Sequence, residues 1–321
     1  MATMVDMTLP RMPVRTASTV TFFYALGYPV GNAAVAAMSP MAVLVIRFGL
    51  AAAILGAWAR MAGVDWPRGG KLGHVAVTGL LMQAVQFCFL YLAIQRGAPA
   101  VLCAVIIAMN PVATALLAAM FLRDRLGARR LIALALGVAA VVAACATRLA
   151  AEDGVDPVLM LLLVALLGLA AGGVYQQRFC ADVDFRAAAA VQNVVALVPA
   201  AVLTALTPFA VHNTTHAVIA VAGVVLLNAA LGVSLYVRAI NIHGAPAVAM
   251  LFCVIPAVAG ALSWAMLGQR IDIGVGIGLV LGACACWLNA RASGQQRQDD
   301  PGGRGRRQDR VDAVHHAAVA R

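Results

Sequence analysis

GAPAVLCAVIIAMNP, running from Gly97 to Pro111, returns later in the chain as GAPAVAMLFCVIP, running from Gly244 to Pro256. Both copies open with Gly-Ala-Pro-Ala-Val at the start of an apolar run, and both reach a proline inside it. Pro111 to Asp124 is thirteen positions, as is Pro256 to Gln269, and the steps from Asp124 to Gly137 and from Gln269 to Gly282 are thirteen again. The register fails only ahead of the prolines, where the first copy is two residues longer. Ala-rich composition alone does not place Pro and Gly at matching positions through two helices, so the chain carries an internal repeat.

The text around the repeat is the kind a bilayer selects. Of 321 residues, 63% are hydrophobic and 11% charged, well under the roughly 25% charge of soluble domains. The charges gather in short clusters between long apolar runs. A hydrocarbon core about 30 Å thick takes about 20 helical residues to cross, and no backbone polar group can stay unpaired in it. β-barrel strands would instead show alternating polarity. The reading is therefore an all-α membrane protein with ten transmembrane helices, near 19–37, 41–59, 73–94, 99–121, 129–147, 157–176, 187–207, 217–237, 246–268 and 273–290. Arg11 and Arg15 ahead of a run ending in AAVAAM imitate a signal peptide, but GYPVGN interrupts the run and further spans follow at once, so a retained first helix is expected.

Positive charge sets orientation. With a cytoplasmic N-terminus, the inside segments hold nineteen of the 23 basic residues and the outside loops only Arg96, Arg148 and Arg270; Arg47 lies within the second span. Both termini are then cytoplasmic. The two repeat copies begin after the third and eighth spans, and an offset of five helices inverts topology. This gives two inverted five-helix repeats, a recurrent transporter plan with its site near midplane where the halves meet. The expected organisation is a cytoplasmic segment 1–18, a first repeat 19–147, an external linker 148–156, a second repeat 157–291 and a disordered basic tail 292–321. The net charge of +10 sits in that tail and the inner loops, which argues against nucleic acid as a partner.

Pro40 and the Arg47-Phe48 pair in the second span, Asn110-Pro111 followed by FLRDRL, and IPAVAGALSWAMLGQR from Ile255 give the chain its resemblance to the EamA family of the drug/metabolite transporter superfamily over about residues 19–291. That resemblance implies ten helices, both termini inside, a multi-pass place in the bacterial inner membrane, and movement of small metabolites, often export of amino acids or related compounds. Family members commonly close the fourth and ninth helices with a Gly-Glu pair; Arg123-Asp124 and Gly268-Gln269 stand there in this chain.

A charge inside a span costs at least about 2.5 kcal/mol at the bilayer centre, so Arg47 is a candidate by default. Its planar fork either binds a substrate carboxylate or phosphate, or ties helices together through backbone carbonyls. No Asp or Glu falls inside a span, which removes a buried carboxylate proton relay. The uncharged polar candidates are Asn32, Gln83, Gln86, Asn110 and Asn228, with Gln192, Asn193 and Ser234 beside them. Gln83 and Gln86 share an α-helical face, as do Asn228, Gly232 and Tyr236, in the two spans the repeat makes equivalent; interhelical glue is the alternative role. Tyr24, Tyr175, Tyr236 and Trp264 are candidates to stack on substrate, packing and interface anchoring being the alternatives. Pro111 and Pro256 are expected hinges at mid-helix kinks.

The seven cysteines form no disulfide or metal pattern, and His212 and His216 have no ligating companion nearby, so neither metal nor cofactor is expected. No phosphate-cradling loop or hydrolytic motif points to an enzyme. The function these features point to is a secondary carrier of a small polar metabolite bearing an acid group, working by alternating access. A membrane enzyme acting on lipids or lipid-linked sugars, and a non-transporting receptor or assembly factor, are the alternatives. The expected partners are the substrate and the lipid bilayer, with a homodimer left open.

Overall fold

Inside a bilayer an apolar segment must satisfy its own backbone, and helices do so residue by residue. The computed structural model describes residues 12–98, 103, 106–122, 132, 135, 157–268, 280 and 284. Apart from residues 132, 135, 280 and 284, the expected fifth and tenth spans lie outside the described residues, as do the linker and the tail. Those described are helical, apart from connections and an isolated bridge. Six helices among them are long and apolar enough to span a membrane: α1 (Val14–Ala37), α2 (Pro40–Met61), α3 (Gly70–Gln95), α5 (Pro157–Phe179), α6 (Phe185–Ala205) and α7 (Thr214–His243). Asn110–Leu122 forms the shorter α4, and Ala245–Ala249 and Ile255–Leu267 form α8 and α9.

The two repeat copies fold alike at their prolines, but not as kinks within continuous helices. In the first, residues 108–109 form a turn and a new helix starts at Asn110, with Pro111 next. In the second, a 3₁₀ turn over Met250–Cys253 precedes α9, whose first turn contains Pro256. The segments flanking that break differ in direction by 42°. Proline suits these places because a first-turn N–H has no intrahelical acceptor to lose.

A second departure from regular α geometry is also duplicated. Leu80–Val85 inside α3 and Val224–Val233 inside α7 are π-helical, and these are the two helices that the repeat makes equivalent. Gln83 sits in one and Asn228 in the other. Such bulges are rare and cluster at functional sites.

The halves exchange partners. Helix α1 packs on α7 and α9, while α5, its counterpart, packs on α3 and α4; α2 and α6 pack on each other. A two-fold relation between halves produces this pattern, with the α2–α6 pair self-matched. Small residues permit the contacts, as is usual between membrane helices: a Cβ on Gly168 or Gly172 of α5 would come within 2.7 Å of Val85 or 2.8 Å of Met82. The α1–α2 and α6–α7 connections are tied together, Ser39 N donating to the Ala210 carbonyl at 2.9 Å and His212 N to the Ala37 carbonyl at 2.8 Å. Helix α6 starts on an Asp184 cap, which accepts from Arg186 N at 2.8 Å and pairs with its guanidinium. The Arg186 side chain, with the backbone N–H groups, holds the Asp184 carboxyl below the usual carboxylate range.

Candidate functional site

A cleft with a cavity volume of about 50 Å³ opens between α1, α2, α3 and α7. Helix α1 supplies Tyr24, Gly27, Tyr28, Gly31 and Asn32; α2 supplies Arg47; α3 supplies Gln86, Phe87, Leu90, Tyr91 and Ile94; α7 supplies Asn228. These residues lie at mid-helix or toward the end of the bundle where Ala37, Pro40 and Gln95 stand. The cleft therefore runs from mid-depth to one end.

Arg47 is its chemical centre. The residue is 1% exposed, and its guanidinium carbon stands 3.5 Å from the centroid of the Phe87 ring and 5.5 Å from that of Phe48. The Tyr91 hydroxyl lies beside it. Its Nε and Nη2 have no hydrogen-bond partner in the protein. The described acids, Asp65, Asp182 and Asp184, all stand outside the spans, Asp182 paired with Lys71 and Asp184 with Arg186. Stacking on an aromatic face stabilises a desolvated cation by about 2 kcal/mol, less than the several kcal/mol that an isolated buried ion costs. Two buried, unused donors of a planar fork on a residue that lines a cleft suit a carboxylate or phosphate, which accepts two parallel bonds.

Four of the expected substrate residues, Arg47, Asn32, Gln86 and Asn228, line this cleft. Gln86 donates from Nε2 to the Tyr24 hydroxyl at 3.1 Å, and Asn228 from Nδ2 to the Tyr24 carbonyl at 3.4 Å. The other four do not line it. Gln83 is buried with neither amide atom bonded; it parts from Gln86 because π-helical turns advance each residue by roughly 80° instead of 100°. Asn110 accepts from Thr114 Oγ1 at 3.1 Å and lies beside the Tyr236 hydroxyl. Tyr236 in turn packs on Tyr24 and Phe252, at 5.4 and 5.8 Å between ring centroids, behind the cleft wall. Trp264 is 66% exposed on α9, turned to the outside of the bundle.

Sequence reasoning passed over Tyr28, Phe87 and Tyr91. GYPVGN, read there as an interruption of the first apolar run, is the cleft's wall: glycines at positions 27 and 31 keep one helix face open, with Tyr28 and Asn32 beside them. A Cβ on Gly27 would fall 2.1 Å from Asn228 Nδ2. That spacing of four was the available signal.

At the opposite end of the bundle the amides bond to one another. Gln192 donates to Gln176 Oε1 at 2.9 Å, Gln176 to Asn241 Oδ1 at 2.9 Å, and Asn241 to the Val183 carbonyl at 3.0 Å. Gln192 stands seven positions past the start of α6 at Phe185, as Arg47 stands seven past the start of α2 at Pro40. The two ends thus differ in kind, one an open cleft around a cation and the other a closed seam of neutral amides. Near the seam, His74 Nδ1 meets the Tyr175 hydroxyl at 2.8 Å and its ring stacks on Phe179, centroids 4.7 Å apart. Among the described residues no group of three or more His, Cys, Asp or Glu could hold a metal ion.

The profile of the EamA-like transporter family matches residues 13–145 and, separately, residues 157–291, one match for each half. A search of curated proteins returns no match. A crystal structure at 16% sequence identity superposes with a TM-score of 0.67 over 91% of this chain and 100% of its own, and so shares the fold. Duplicated family match, apolar spans and shared fold agree: this multi-pass membrane protein belongs to the EamA-like transporter family.

Proposed function

We propose that the chain is a secondary carrier that exports a small polar metabolite bearing an acid group, such as an amino acid or a related compound, across a bacterial inner membrane. In this reading ten helices form two inverted halves with both termini in the cytoplasm, and the halves rock around a midplane site. One observation carries it: Arg47 lines the wall of a mid-depth cleft, and its buried Nε and Nη2 have no protein acceptor. The substrate's acid group docks there bidentately, while Asn32, Gln86 and Asn228 address its remaining polar atoms and the Tyr28 and Tyr91 rings its apolar ones. Pairing of neutral amides at the far end supports a carrier open to one side only.

The test is metabolite profiling of medium and cytosol in a strain lacking the protein, with chain and Arg47→Gln supplied separately. The expected result is an acid-bearing metabolite that accumulates inside the deletion strain, moves to the medium with the intact chain, and stays inside with the variant. Unchanged profiles in all three strains, with both proteins present in the membrane, would refute the reading.

A further inference from the structure

The candidate cleft contains a charge with no internal counter-charge, and that bears on how the carrier returns after delivering its cargo. A guanidinium is not deprotonated in proteins, so Arg47 is cationic in every state of the cycle. Among the described residues the acids stand outside the spans, two of them engaged in ion pairs, and the rest of the cleft lining is neutral. Nε and Nη2 are themselves buried in this state, so the cation is screened chiefly by water in the cleft that its residue lines. To pass to the opposite state the cleft must close and shed that water. A closed, unpaired cation is then a strongly disfavoured intermediate, whereas a carboxylate held on Nε and Nη2 makes the occluded site neutral and fills both donors.

We infer that the protein is an obligate anion exchanger: its halves reorient only with an acid group on Arg47, so each anion carried one way is matched by another carried back. This rests on the carrier reading above and goes beyond it in fixing the coupling. No proton need be carried, which fits a chain whose thirteen acids include none within the apolar spans. The seam of Gln176, Gln192 and Asn241 at the opposite end, where Gln192 holds the place equivalent to Arg47, is neutral and self-bonded, so it closes without any counter-ion.

The purified full-length chain in liposomes provides the test. The probe is an external panel of radiolabelled amino acids, hydroxy acids and dicarboxylates. Vesicles are preloaded either with the same compounds unlabelled or with the corresponding uncharged amides. The expected result is uptake at least a hundredfold faster into the acid-loaded vesicles, with Arg47→Gln bringing the ratio of the two close to one. Equal uptake of an acid into both vesicle types, or a pH gradient that replaces internal acid, overturns obligate exchange while leaving the carrier intact. Absence of uptake into either, with the protein monodisperse on extraction, overturns the carrier reading and exchange with it. The comparison of the two loadings uses the unaltered chain, so it stands whether or not the variant folds.

Discussion

Gly27→Ala is a one-methyl change whose effect follows from a single contact. A Cβ at position 27 would stand 2.1 Å from Asn228 Nδ2 and 2.6 Å from its Cγ, where ordinary contact begins at 3.4 Å; the amide would have to retreat by about 1.3 Å. Asn228 is buried and its amide bonds to the Tyr24 carbonyl, so retreat breaks that bond and pushes on the α1–α7 contact. Overpacking of this kind costs about 1–3 kcal/mol, and the lost hydrogen bond about 1 kcal/mol more. We expect a total near 2–4 kcal/mol, read as a lower midpoint for heat-induced loss of the monodisperse size-exclusion peak in detergent. A double-mutant cycle isolates the cause. Asn228→Ala alone should cost about 1 kcal/mol, and adding Gly27→Ala to it should cost under about 0.5 kcal/mol, because the displaced atoms are gone. If Gly27→Ala is equally destabilising with and without the Asn228 amide, the contact is not the reason and the assignment of Gly27 as the space-maker for Asn228 is wrong.

Four further substitutions have expected outcomes. Arg47→Gln should leave the thermal midpoint within the equivalent of about 1 kcal/mol of the original, because the cation has no carboxylate partner to orphan, yet cut transport in liposomes more than tenfold. Arg47→Lys should not restore it, a point charge being unable to make the bidentate contact. Asp184→Ala removes a helix cap and should cost about 0.5–2 kcal/mol at neutral pH. Since the carboxyl is held below its ordinary value, its contribution is complete above the unfolded pKa of about 3.9. It is lost as pH falls through the lower folded value, so the thermal midpoints of variant and original should converge in acid; a gap that persists there removes the charged cap as the cause. Gln192→Ala deletes one bond of the amide seam, worth about 1 kcal/mol, and should raise maleimide labelling of a cysteine placed at Asn193 about fivefold while lowering that of one at Asn32. Labelling that rises at both positions would indicate loosening instead of a shift between two states.

The sequence by itself determined the solvent, the element type and the duplication. In hydrocarbon a backbone has no partner but itself, so long apolar runs can only be helices. The Gly-Ala-Pro-Ala-Val copies and their prolines could be matched letter by letter. It also pointed to Arg47, because a lone charge in an apolar run is visible without knowing its surroundings, and to Asn32, Gln86 and Asn228 as polar groups in search of partners.

What only the tertiary structure decided is which of those groups face one another. Facing depends on local helical advance and on the neighbour each face meets. The π-helical stretch Leu80–Val85 turned Gln83 away from Gln86. The proline positions became helix starts because the preceding turns end the earlier segments. Packing of α9 sent Trp264 outward, and the aromatic contacts of Tyr24 and Phe252 put Tyr236 behind the wall. The same packing set Phe87 beneath the Arg47 guanidinium and left its Nε and Nη2 without a protein acceptor. A residue's letter fixes what it can bond, but its neighbours across the helix interface fix which of its atoms remain free to do so.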